Sequence, residues 1–159
     1  MPDNNALREA VLILLRGGRA HITFEKAVAN FPEGLRGRKP RGAPYTPWQQ
    51  LEHMRLAQWD ILEYIRNPQY VSLKFPEEYW PREASPPRNA WPKSVKAFLA
   101  DRQALEDMAA DPSTDLLARV PHDPEGPSNL RELLLVADHN AYRLGQLIVL
   151  RRLLGAWRE

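Results

Sequence analysis

Leu7, Val11, Leu14 and Leu15 recur at helical spacing in ALREAVLILLR, a stripe that predicts an amphipathic helix. Gly17 and Gly18 then interrupt the pattern, so the first helical segment, residues 4–31, is expected to be broken or kinked. Thr23 can cap its continuation FEKAVANF, which Pro32 stops. Residues 32–45 mix Pro, Gly and basic side chains without periodicity and read as an exposed connection. The clearest helix start follows: in TPWQ, Thr46 is a cap, Pro47 takes the first helical position and Gln49 sits where a capping box needs it. This helix should run to about Arg66, before Asn67 and Pro68.

Residues 69–91 are long for a connection but rich in aromatics and prolines, which predicts an ordered strap packed across the fold. A third helix over residues 92–110 places Val95, Phe98, Leu99 and Leu105 on one side. After a short helical turn at 115–118 and a turn-rich connector, the last helix begins near Leu130, capped by Ser128 or Asn129. No run alternates apolar and polar residues as a half-buried strand would. The pattern predicts an all-α protein, a single domain over residues 1–159, built as a four-helix bundle with long crossover connections.

Two of these helices have unusual patterning. In the last, Leu133, Ala137, Ala141, Leu144 and Ile148 form one apolar stripe, while His139, Arg143, Gln146 and Leu150 align on another side. A helix buried on both sides needs a central position or a partner subunit, so a homodimer is expected, with Gly145 allowing close approach of another helix. In the second helix Leu51, Met54, Ile61, Leu62 and Ile65 make the core stripe, and His53 lies off it with Ala57, Asp60 and Tyr64. Taken singly, each His reads as a surface or hydrogen-bonded imidazole.

Composition narrows the chemistry. The 159 residues contain no cysteine, which excludes disulfides, thiolate nucleophiles and cysteine-ligated metals. No apolar run reaches the ~18 residues of a membrane span, and the N-terminal run lacks a cleavage site, so a cytoplasmic protein without a membrane partner is expected. The formal charge is +2. The basic loop LRGRKPRG, with Arg36, Arg38, Lys39 and Arg41, has no interleaved aromatics to stack bases, so it reads as solvated surface and no nucleic-acid partner is expected. Trp48, Trp59, Trp80, Trp91 and Trp157 read as packing anchors, and Arg151 and Arg152 as charges favoured at a helix C-terminus or lining a dimer rim.

TPWQQLEHMRLAQWDIL, followed by ADHNAYRLGQLIVLRRLLGAW, resembles the DinB-like superfamily of bacterial four-helix-bundle proteins. The resemblance extends through AHITFEKAVANFPEGLRG and AWPKSVKAFLAD. It implies an up-down-down-up bundle, commonly dimeric, holding a divalent metal such as zinc or nickel on three histidines. One ligand matches His53, and an HxxxH pair in the last helix matches His139 and position 143. Related members act as metal-dependent thiol transferases or isomerases, and many have no known activity.

Here position 143 is Arg. A guanidinium has five donors, no lone pair to give and a pKa too high to surrender its proton, so it cannot ligate. The sequence therefore requires no cofactor. A weakened two-His site on His53 and His139, completed by Asp60, Glu52, Asp138 or water, would support a metal-dependent thiol transferase or hydrolase. His21 or His122 could replace the lost ligand only if a loop brings one into range. The other expectation is an altered pocket in which Arg143, with Gln146, binds a small anion directly, or a scaffold role without catalysis.

Overall fold

The glycine pair ends the first helix where the pattern breaks. In the computed structural model, which describes residues 5–157, α1 spans Asn5–Arg16 and α2 spans Phe24–Val28. The expected start at residue 4 lies outside the described residues. Gly17 takes φ +68° and donates its amide to the Ile13 carbonyl at 3.1 Å, satisfying an end carbonyl in the left-handed conformation that glycine adopts without strain. Thr23 caps α2 by accepting from the Lys26 amide. This helix stops at Val28, short of Pro32, and a 3-10 turn over Glu33–Leu35 follows.

Helix α3, Pro47–Arg66, has the predicted capping box: the Gln49 amide donates to Thr46 Oγ1 at 3.2 Å and the Thr46 amide to Gln49 Oε1 at 3.1 Å. Helix α4 spans Ala90–Ala110 and α5 spans Asn129–Leu153. α4 begins two residues earlier than predicted because Pro92 is tolerated inside a first turn, whose amides have no intrahelical acceptor. Ser128, not Asn129, caps α5, accepting from the Arg131 amide. The helical turn expected at 115–118 does not form. Asp115 Oδ1 instead accepts the Leu117 and Ala118 amides in a local turn, and Arg119 and Ser128 form an isolated bridge.

Among the described residues the regular elements are all helices, apart from that bridge, and no helix is long and apolar enough to cross a membrane. α3 packs against α4 and α5, and α1 packs against the same two helices. One apolar cluster joins Val11, Leu62, Leu105 and Leu133; the other joins Phe24, Leu51, Phe98 and Leu147. Beside them Asn140 Nδ2 donates to Gln58 Oε1 at 2.8 Å, and Gln58 Nε2 donates to the Phe98 carbonyl at 2.7 Å. That polar bridge explains why Ala141, expected in the core, is exposed. The inward stripe of α5 passes through Leu133, Val136, Ala137, Asn140, Leu144 and Leu147, one position away.

Because α5 packs against α1, α2 and α3, its two buried sides are accommodated within one chain. Packing thus requires no second subunit for those stripes. Arg151 is also not a rim charge. It is buried, donating to the Ala27 and Ala156 carbonyls at 2.6 and 3.0 Å, so it ties the end of α5 to α2. Arg8 acts in the same manner on α4, donating to the Ala109 carbonyl in its last turn, where carbonyls lack helical partners and a cation is favoured, and to the Thr114 carbonyl in the loop beyond it.

The strap is ordered, as predicted, and Asp60 on α3 anchors it. Its carboxylate accepts from Tyr70 and Tyr79 hydroxyls at 2.7 and 2.6 Å and from the Leu73 amide at 3.1 Å. Low-dielectric surroundings and the adjacent carboxylate push both phenol pKa values up, so the two tyrosines remain donors. At the strap's far end Thr46 Oγ1 donates to the Ala84 carbonyl at 2.7 Å. These anchors lay residues 79 and 80 over the side of α3 that carries His53.

Candidate functional site

His53 and His139, on α3 and α5, meet as the resemblance implied: their Nε2 atoms are 3.1 Å apart. The strap fixes which nitrogen carries hydrogen. His53 Nδ1 lies 3.0 Å from the Tyr79 carbonyl, which can only accept, so Nδ1 is the protonated nitrogen and Nε2 offers a lone pair. The short contact is then a hydrogen bond from His139 Nε2 into His53 Nε2. This leaves His139 Nδ1 buried without a partner.

Burial, against which the Tyr79 carbonyl works, is the main cause that pushes His53 down to about 4, helped by Arg143 and His139. Burial, followed by the Arg143 charge, likewise pushes His139 down to about 4. Both imidazoles are therefore neutral near pH 7. The linkage has a definite sign. The unfolded imidazoles take up protons below about 6.5 while the folded ones do not, so the pair weakens the fold as pH falls from about 6.5 toward about 4. Stability measured by urea unfolding should decline across that window, and a His53→Gln, His139→Gln double variant should show a flatter decline. An equally steep slope in the variant would assign the loss to other groups.

His53 is only 2% exposed, and the residue that covers it is Trp80. Their rings stack at 3.8 Å with planes 2° apart, and Tyr45 stacks on Trp80 at 3.7 Å. Arg143 sits with its guanidinium carbon 5.2 Å from the Trp80 ring centre and 5.2 Å from that of Tyr142. Its Nη1 donates to Gln146 Oε1 at 3.2 Å, while Nε is buried without a partner. Among the described residues no carboxylate forms an ion pair with Arg143.

Two cavities adjoin this cation. One, of about 290 Å³, is lined by His53, Asp60, Phe75, Tyr79, His139 and Arg143. The other, of about 760 Å³, lies between α5 and residues 41–45 and includes Gln50, Arg143 and Gln146 in its wall. The structure thus brings together all four residues singled out in the sequence, His53, His139, Arg143 and Gln146. Trp80, Tyr79 and Tyr45 were missed as site residues. Their only signal was the aromatic content of the strap and of the connection before α3.

The donor set does not fit a three-histidine metal site. Among the described residues no group of three or more His, Asp or Glu side chains is placed to hold an ion. Asp60 is committed to three strap donors. Glu52 is engaged by Arg55 at 2.5 Å and by Ser94 at 2.6 Å, and Asp138 is exposed. His21 lines a different cavity, and His122 packs edge-on against Tyr64. What the arrangement can do is present a fixed cation beside two neutral rings.

Compared with known protein families, residues 19–147 match the DinB superfamily. No curated protein and no solved structure gives a match.

Proposed function

The chain belongs to the DinB superfamily, and on that premise we propose that it is an altered member whose pocket binds a small carboxylate-like anion at Arg143 instead of a divalent metal. The observation that carries this reading is the state of Arg143 itself. It is held between two aromatic rings, adjoins two cavities and has no carboxylate partner among the described residues. A guanidinium restrained in this way keeps its planar fork of donors for an incoming anion, and little conformational entropy is lost on binding. The neutral histidines supply polar surface without competing charge. Gln146 is the neighbouring polar group that can share the ligand.

The bundle has the up-down-down-up arrangement on this reading. Ser94 reaches Glu52 and the Phe98 carbonyl meets Gln58, which supports α3 and α4 running the same way. Gln50 donates to the Arg143 carbonyl and Gln58 accepts from Asn140, which supports α5 running against α3. Arg8 with Ala109 and Arg16 with Glu106 support α1 running against α4. The long connections are then the crossovers that such an order needs.

Acetate is the simplest probe. Its binding, followed by broadening of the methyl proton resonance, should weaken at least tenfold in an Arg143→Gln variant; equal binding in both proteins would refute the anion site. One observation favours a second reading, a thiol transferase or hydrolase using a metal on His53 and His139. Their Nε2 atoms converge with neutral rings. Stoichiometric metal in untagged protein, lost on His53→Ala, would establish that reading in place of ours.

A further inference from the structure

The larger cavity has a charge and an apolar wall that together point to more than a bare anion. Its lining contains two arginines, Arg41 and Arg143, and no carboxylate. Beyond Arg143 and Gln146, α5 turns an apolar face to it: Val149 is 55% exposed and Leu153 63% exposed. Tyr142, also 63% exposed, flanks the charged end, and Pro44 contributes to the opposite wall. Gly145 lies in the lining, and a Cβ built there meets nothing within 4 Å, so the groove is open above it. From Gln146 to Leu153 the helix advances about 10 Å at ~1.5 Å per residue. The cavity volume of about 760 Å³ falls in the range of roughly 300–1,000 Å³ usual for small-molecule sites.

We infer that this groove binds an amphipathic monocarboxylate, its head on Arg143 and Gln146 and its aliphatic or aryl tail along Val149 and Leu153. This rests on the anion reading and adds the class of ligand. Arg143 is the better head-group site because Trp80 and Tyr142 fix its guanidinium, whereas Arg41 is exposed. A second copy of the chain is a poorer occupant. A two-fold contact through this patch would pair the groove with itself, and a lining with two cations and no anion has nothing to neutralise them. A carboxylate with a tail satisfies both ends of the groove at once.

Decanoate below its micellar concentration is the test probe, with acetate and 1-decanol as controls, each titrated calorimetrically into the full chain. Burying even part of the extra methylenes should make decanoate bind on the order of 100-fold more tightly than acetate. 1-Decanol, lacking the charge, should bind at least tenfold more weakly than decanoate. Gly145→Leu fills the open groove while favouring the helix, and it should weaken decanoate at least tenfold. Equal affinities for decanoate and acetate would overturn the ligand class but leave the anion site standing, whereas binding of neither would overturn both. Decanoate binding that survives Arg143→Gln would overturn the placement of the head group. A doubled mass by light scattering together with no decanoate binding would assign the groove to a second copy and overturn the inference.

Discussion

Asp60→Ala is expected to destabilise the protein by about 3 kcal/mol and to free the strap from α3. Hydrogen bonds to a charged acceptor contribute roughly 1.5–3 kcal/mol each. Asp60 accepts three, from Tyr70, Tyr79 and the Leu73 amide. The total falls short of their sum because the detached strap can return its donors to water. For a chain of this size such a loss lowers Tm by about 10 °C. The consequence reaches the site: Tyr79 supplies the carbonyl that orients His53, and Trp80 supplies the ring that covers it and supports Arg143. Hydrogen exchange at residues 70–80 should accelerate with the stability loss, and Asp60→Asn, which retains one acceptor, should lie between the two proteins. A change in stability below about 0.5 kcal/mol with unaltered exchange would show that the strap is held by something else.

The helices were legible because their signals are local. The Thr46 capping box, the glycine pair after Arg16 and the cap before α5 each involve residues within a few positions of one another. The meeting of His53 with His139 was legible for a different reason, since the resemblance pairs those two positions. The strap was predictable as ordered but not in its course. The hydrogen bonds that anchor it to α3 and the α3 cap join residues 10 to 38 positions apart through side chains with no periodic arrangement, so nothing in the residue order marks Trp80 as the cover on His53. The buried polar contacts failed similarly: Gln58 and Asn140 look like surface residues until their helices are packed together. On the second apolar side of α5, Leu133, Ala137 and Leu144 are buried as read, and a packed position between α1, α2 and α3 accounts for that burial within one chain. Ala141 fell outside because the polar bridge occupies the inward position beside it.

Arg143→His carries the other large effect. His53 and His139 already hold their Nε2 atoms 3.1 Å apart, close to the separation of about 3.3 Å expected for two nitrogens 2.0–2.1 Å from a tetrahedral ion. The wild-type cation opposes an ion there in two ways. It has no lone pair to contribute, and its charge, which already disfavours protonation of both histidines, repels a divalent ion between them. The histidine variant removes the repulsion and provides a third nitrogen one helical turn from His139. Its gain should exceed about 100-fold in zinc affinity, with acetate binding lost at the same time.

Zinc titration of untagged wild-type and Arg143→His protein, followed by calorimetry at pH 7, therefore bears most directly on the claim that a guanidinium stands where a third ligand would. We expect no stoichiometric zinc on the wild type and one equivalent, bound at least 100-fold more tightly, on the variant. One equivalent on the wild type, with no tighter binding to the variant, would contradict it.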